Sequence, residues 1–313
     1  MNFLHTFHPQ PILFEYGFIK IHWYGLLMVI AIFVGIFITV KLAKRYGFSK
    51  DHVYDLVFYL VIFSLLGARI YAVLLFPSYY SQYPLEIFQV WKGGLAIHGA
   101  IIGGIITLYY YAQRKKQSFW LWADILVVPL ALGQAIGRWG NYFNQELFGK
   151  PTNLPWGIPI DTLSRGAFSK FEFFHPTFLY ESILNFIVFI VLLTLHIHRI
   201  KKQETMNKHP LTPTLSHDGE RESSAPSLIY KNERGRILEI RNWKLEISTI
   251  TLLYLIFYSL IRIAMEQFRI DETPQFFGMR FPIIISGLIF IASIILYFYF
   301  LRKQKTREEQ KSI

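Results

Sequence analysis

Seven apolar stretches separated by polar segments constrain this chain more than any other feature of it. They run from Ile19 to Val40, Val53 to Leu75, Leu95 to Tyr111, Ala123 to Ile136, Phe178 to Ile197, Ile247 to Met265 and Phe281 to Phe300. Several approach the roughly 20 residues with which a helix crosses a hydrocarbon core. The fourth is short and draws on the residues around Gly137 to Tyr142. Only 17% of the 313 residues are charged, against about 25% in an ordinary soluble domain. The expected fold class is an all-α polytopic membrane protein with about seven transmembrane helices.

The net charge of +11 would suit a nucleic-acid partner, but its placement argues against one. Lys41, Lys44, Arg45 and Lys50 follow the first stretch, Arg114, Lys115 and Lys116 the third, Arg199, Lys201 and Lys202 the fifth, and Arg302, Lys303 and Lys305 the seventh. The alternate connections are nearly bare, with Lys92 in one and Lys150, Arg165 and Lys170 spread over a long second one. Basic residues gather on the cytoplasmic side, so the N-terminus is expected in the periplasm and the C-terminus in the cytoplasm. The absence of cysteine excludes a disulfide framework, a thiolate metal site and a cysteine nucleophile. The first stretch lacks the basic lead and cleavage site of a signal peptide and is expected to be retained. Residues 203–246, rich in Pro, Ser, Thr and charge, have the composition of a disordered cytoplasmic insertion. His209 and His217 within it are expected to be solvated.

Arg69, Arg138 and Arg262 interrupt or abut apolar stretches. An arginine at membrane depth costs about 2.5–3.5 kcal/mol on insertion scales, so it is kept where it faces a partner or a cavity. Three of them imply a buried anion. The orientation supplies depth: Tyr24, Arg69, His98, Arg138, Asn141, Asn144, Tyr258, Arg262, Glu266 and Arg269 all fall toward the outer leaflet, which implies one polar cavity opening there. Tyr258, Arg262, Glu266 and Arg269 step by four, four and three along one helix face, and Arg138, Asn141 and Asn144 by three along another. Gly93, Gly94, Gly99, Gly103 and Gly104 suit close helix approach around His98. Plainer readings stand beside these. Arg69 can pair with a carboxylate to fix two helices, Glu266 can be only a partner of Arg262, and Asn141 and Asn144 can be interhelical glue. Tyr24 suits an interfacial belt, and His98 a satisfied core histidine. His196 and His198 lie on different faces, which argues against a metal site.

The run Gly137-Arg138-Trp139-Gly140-Asn141-Tyr142-Phe143-Asn144-Gln145-Glu146-Leu147-Phe148-Gly149 resembles the signature of the phosphatidylglycerol–prolipoprotein diacylglyceryl transferase family, GRxGNFxNxExxG. Tyr142 in place of Phe is the one departure. Further blocks agree in order: His22–Gly25, Gly67–Ile70, Gly93–Gly99, His175–Glu181 and Tyr258–Arg269. The resemblance covers all seven stretches and departs at the 203–246 insertion, where the family has a short loop. It implies a single transferase domain over 1–313 in a bacterial inner membrane, with a small periplasmic head at 144–175. It also implies transfer of the diacylglyceryl group of phosphatidylglycerol to the lipobox cysteine in the signal peptide of a prolipoprotein, releasing glycerol phosphate. Membrane lipids would surround the site, and no cofactor or metal is called for. Alkyl transfer of this kind needs an anion clamp, a base for the thiol and entry from lipid.

On that resemblance Arg138 and Arg262 are expected to clamp the phosphate and His98 to be the candidate base. Tyr24, Arg69, Asn141, Asn144, Glu146, Gly149, Tyr258, Glu266 and Arg269 would bind substrate and hold the clamp. Two other classes compete. An outer-leaflet lipid carrier would want polar residues at both leaflets, and a metal-dependent phosphotransferase would want clustered acidic ligands; the chain offers neither.

Overall fold

Each apolar stretch expected to cross the bilayer is a helix, although the ends differ. The structure, a computed structural model, describes residues 3–17, 19–208, 228–231, 237–240 and 249–309. In chain order come α1 (Phe3–Thr6), β1 (Ile12–Tyr16), β2 (Ile19–His22), α2 (Trp23–Arg45), α3 (Lys50–Leu75), α4 (Pro77–Gln82), α5 (Ile97–Arg114) and α6 (Phe119–Phe143). There follow β3 (Ile158–Pro159), β4 (Phe173–Phe174), α7 (Thr177–Lys208), β5 (Leu228–Lys231), β6 (Ile237–Ile240) and α8 (Thr249–Glu266). The last elements are β7 (Gln275–Phe276), β8 (Met279–Arg280) and α9 (Phe281–Glu309). Among the described residues six helices are long and apolar enough to cross a membrane: α2, α3, α6, α7, α8 and α9. The third expected span is also a helix, α5, but His98, Gln113, Arg114 and its glycines leave it less apolar than the rest.

The first span starts at Trp23, not at Ile19. Ile19 to His22 alternate apolar and polar side chains, a strand pattern, and pair antiparallel with β1, Phe14 opposite Ile21 and Glu15 opposite Lys20. Lys20 Nζ lies 2.7 Å from Glu15 Oε1 across that hairpin. The fourth span does draw on the residues after Ile136: α6 runs unbroken to Phe143 with Pro129 inside it. The fifth continues to Lys208, six residues into the expected insertion, and β5–β6 form a hairpin within it. The rest of that insertion, His209 and His217 included, lies outside the described residues.

By its contacts the chain forms two units, one from Met1–Ile38, Leu126–Pro226 and Leu245–Ile313, the other from Thr39–Ile125 and Ser227–Lys244. In the second unit α3 packs on α5 through glycines. A Cβ at Gly67 would collide with the Gly99 carbonyl, and one at Gly103 would lie 2.5 Å from the carbonyl of Phe63. Small residues let helix backbones approach where lipid offers no hydrophobic drive to association. In the first unit α8 packs on both α7 and α9. The segment after α6 closes over a small core of Tyr142, Ile158, Ile160, Phe174 and Phe178, with Tyr142 stacked on Phe178 at 4.4 Å. The aromatic residues of the signature run are thus the floor of the 144–175 segment.

Candidate active site

Two carboxylates sealed from solvent organise the polar residues of the first unit. Glu181, one turn into α7, is 2% exposed, as is Glu266 at the end of α8. A buried charge must be paired, since removing its partner costs about 3–5 kcal/mol. Arg138 Nη2 makes a close ion pair with Glu181 Oε2. Arg262 Nη1 and Arg269 Nε approach the other oxygen at 3.8 and 3.9 Å. Arg262 Nη2 also donates to Glu266 Oε2 at 2.9 Å, one turn along the same helix, and Arg280 Nε donates to Glu266 Oε1 at 2.9 Å. Three helices and the hairpin after α8 therefore meet at one ion network.

A polar chain leads outward from it. Arg138 Nη1 donates to Asn141 Oδ1 at 3.3 Å, Asn141 Nδ2 to Glu146 Oε1 at 2.7 Å, and Asn144 Nδ2 to the same oxygen at 3.4 Å. The loop holding these residues adopts left-handed backbone at Gln145 (φ 51°) and Leu147 (φ 57°), a conformation that non-glycine residues keep only when their surroundings impose it. Those surroundings are visible. Gln145 Nε2 donates to Asp161 Oδ2 at 2.7 Å and to the Pro9 carbonyl at 2.9 Å, and its Oε1 accepts from Asp161 N at 2.6 Å. The Leu147 carbonyl accepts from Thr177 Oγ1 at the start of α7. Gly149 then pairs with Arg269 as an antiparallel bridge, and a Cβ there would lie 2.8 Å from His175 Cβ. Only glycine fits, and the bridge brings Arg269 beside Glu181. His175 closes this junction: its Nδ1 lies 3.2 Å from the Tyr180 hydroxyl, and burial pushes its pKa below the usual imidazole value.

Of the remaining expected site residues in this unit, Tyr24 lies with its ring over Gly140, where an added Cβ would meet it at 2.5 Å. Tyr258 stacks on Tyr254 at 6.0 Å. Arg269 and Asn144 follow the ends of α8 and α6 rather than extending their faces, yet both join the network.

The second unit holds Arg69 and His98, and Arg69 meets no carboxylate among the described residues. Its Nε donates to the Ile87 carbonyl at 2.8 Å, its Nη1 to those of Gly93 and Gly94 at 2.7 Å each, and its Nη2 to those of Glu86 and Gln89. A guanidinium has five N–H donors, and all five are engaged. Gly94 (φ 67°) has no room for a Cβ, which would lie 2.6 Å from both Arg69 Nη1 and the Tyr80 hydroxyl. Arg69 thus ties residues 86–94 to α3 and has no donor left for a phosphate. The expected substrate contact becomes a backbone clamp. His98, in the first turn of α5, is exposed, its ring 5.9 Å from that of Tyr71.

Sequence reasoning passes over Glu181 and Arg280. Glu181 closes one of the quoted blocks, and a lone acid at the mouth of an apolar span is signal enough to suspect it. Arg280 gives no signal, because a basic residue beside a span looks like a topology determinant.

Among the described residues, four guanidiniums, of Arg138, Arg262, Arg269 and Arg280, face three carboxylates, of Glu181, Glu266 and Asp271, and the Glu146 carboxylate joins Arg138 through Asn141. Arg269 is 7% exposed, and its Nε and Nη2 have no hydrogen-bond partner among the described residues. Those two N–H groups form one edge of the guanidinium plane, the edge that receives an oxyanion in bidentate fashion. Nε also faces Asp271 Oδ1 at 3.7 Å and Glu181 Oε1 at 3.9 Å.

Comparison with known proteins supplies a family. Residues 11–212 match the family model described as prolipoprotein diacylglyceryl transferase. The phosphatidylglycerol–prolipoprotein diacylglyceryl transferase of Trichormus variabilis is 47% identical over 196 residues, 62% of this chain and 69% of its own. That of Nostoc sp. is 48% identical over 197 residues, with the same coverage. The Synechocystis sp. protein of that name is 34% identical over 289 residues, 92% of this chain and 87% of its own.

Proposed function

The chain belongs to the prolipoprotein diacylglyceryl transferase family, and on that premise we propose that it moves the diacylglyceryl group of phosphatidylglycerol onto the lipobox cysteine of prolipoproteins, making a thioether and releasing glycerol phosphate. It is a multi-pass membrane enzyme acting at the first step of lipoprotein lipidation. Its place is the bacterial inner membrane, with the N-terminus and the site toward the periplasm.

The observation that supports this reading most is the buried Arg269 beside Arg138 and Arg262, its Nε and Nη2 without a hydrogen bond among the described residues. The thiolate sulfur attacks the glycerol carbon that bears the phosphodiester oxygen. As the carbon–sulfur bond forms, the carbon–oxygen bond breaks and its electron pair leaves with glycerol phosphate. Charge grows on the departing phosphate, and fixed donors in a dry site stabilise it most at that moment. Arg138 and Arg262 are the clamp, oriented by their ion pairs with Glu181 and Glu266. Asn141, Asn144 and Glu146 extend the polar chain toward the headgroup glycerol, and Gly149 seats Arg269. Tyr24 and Tyr258 line the approach for lipid. His98 takes the proton of a thiol whose pKa is near 8.5.

The test incubates membranes containing the protein with labelled phosphatidylglycerol and a lipobox peptide. Label should enter the peptide only when its cysteine is present, with glycerol phosphate released in equal amount. Absence of transfer from phosphatidylglycerol at normal protein abundance overturns the reading.

A further inference from the structure

The connection between α8 and α9 is a hairpin, β7–β8, whose turn residues Phe277 (φ 51°) and Gly278 (φ 72°) both have positive φ. Turns of this kind take Asn, Asp or Gly first, so a phenylalanine there is held against its preference. Phe277 is 87% exposed, with Phe276 and Met279 exposed beside it, and the apolar helix α9 follows directly. The hairpin turns its apolar tip outward and its last residue, Arg280, inward.

Arg280 reaches every part of the α8 end of the ion network. Nε donates to Glu266 Oε1 at 2.9 Å, Nη1 to the Arg269 carbonyl at 3.1 Å, and Nη2 to the Asp271 carbonyl at 2.9 Å. Nη2 also lies 3.5 Å from Asp271 Oδ2. Glu266 in turn accepts from Arg262 on its other oxygen and lies 3.9 Å from Arg269 Nη1. With Oε1 taken by Arg280, the Glu266 carboxylate cannot rotate, and Oε2 is presented to Arg262. With the Arg269 and Asp271 carbonyls taken too, the chain after α8 is held in the path that places Arg269 beside Glu181.

We propose that Arg280 is a positioning residue of the anion clamp: it locks Glu266 and the Arg269–Asp271 backbone so that Arg262 and Arg269 meet the substrate phosphate in a fixed geometry. The proposal rests on the transferase reading for the identity of that phosphate. A side chain that fixes the orientation of a charged partner loses its effect when its planar fork is replaced by a point charge. Lysine can keep the contact with Glu266 but cannot also hold two carbonyls.

The experiment compares wild type with Arg280→Ala and Arg280→Lys in detergent micelles. It measures the Kd for dioleoyl phosphatidylglycerol against dioleoyl phosphatidylcholine, and separately kcat and KM for transfer. Losing charge-assisted contacts of this kind weakens phosphatidylglycerol binding by about tenfold or more in Arg280→Ala, with lysine recovering only part of it. The preference over phosphatidylcholine narrows, and kcat falls along with the rise in KM. Arg280→Ala binding phosphatidylglycerol as wild type does, or lysine restoring wild-type Kd and kcat in full, overturns the proposal. Should Arg280→Ala fold poorly, the lysine variant decides between these outcomes. The binding arm needs no turnover, so a wild type that binds phosphatidylglycerol but transfers nothing counts against the transferase reading and leaves the positioning role to the Kd comparison.

Discussion

Arg69 and Arg269 are buried to nearly the same degree, 6% and 7% exposed, and a sequence offers no way to tell their tasks apart. The structure does. Arg69 spends all five N–H groups on backbone carbonyls of residues 86–94. Arg269 sits among carboxylates at 3.7–3.9 Å, with Nε and Nη2 unpartnered among the described residues. One is a saturated tie for its own chain; the other has donors that no hydrogen bond among the described residues satisfies. Burial of an arginine is therefore a poor guide to function, and the saturation of its donors a better one, because an unmet buried donor is costly to leave without a ligand.

The largest effect that would break this contrast lies in the clamp. Arg138→Ala and Arg262→Ala should each lower transfer by about a hundredfold to a thousandfold, with protein still in the membrane. Lysine should rescue poorly at either position, since a point charge cannot bridge two oxygens. Transfer per molecule near wild type in either alanine variant would take that residue out of the site.

His98 tests the comparison from the second unit, where it is the residue expected to act on substrate. His98→Ala should lose about a hundredfold at neutral pH and recover in part as pH rises toward about 8.5, where the substrate thiol begins to ionise unaided. A loss that stays flat with pH would make it an orienting residue.

Arg69→Ala should behave in the opposite way to the clamp variants. Five carbonyls lose a charged donor, so stability should fall by about 3 kcal/mol or more, seen as lower abundance and an earlier thermal transition in detergent. The molecules that do fold should keep their KM for phosphatidylglycerol within about threefold. A raised KM at unchanged stability would return Arg69 to the binding site. The smallest effect is expected from deleting Glu204–Ile240: joining the ends of α7 and α8 by a shorter loop costs little entropy, and specific activity should change by less than about twofold. Loss of activity at normal abundance would give that segment a function.

Much of this molecule is legible in its sequence. The seven long helices, their approximate ends and the convergence of Arg138, Asn141, Arg262 and Glu266 follow from apolar length, helical spacing and charge at the ends of spans. The i,i+4 contact of Arg262 with Glu266 and the i,i+3 contact of Arg138 with Asn141 are direct consequences of helical geometry. The signature run is likewise readable as chemistry. The β1–β2 hairpin escapes such a reading because Ile19 to His22 look like the lip of an apolar span, when their period of two is the better signal.

Composition and periodicity by themselves determined a polytopic helical membrane protein with arginines at the ends of its apolar spans, because spacing along one helix and the cost of charge in lipid act locally. Only the tertiary structure decided which arginine holds backbone and which keeps free donors, that Glu181 joins Arg138, Arg262 and Arg269, and that Arg280 steadies Glu266 from a hairpin turn. Those partners lie on different elements, from 14 to 88 residues apart. Their meeting depends on how each helix is rotated about its axis and how the loops after α6 and α8 bend, and neither is set by the period of an apolar pattern.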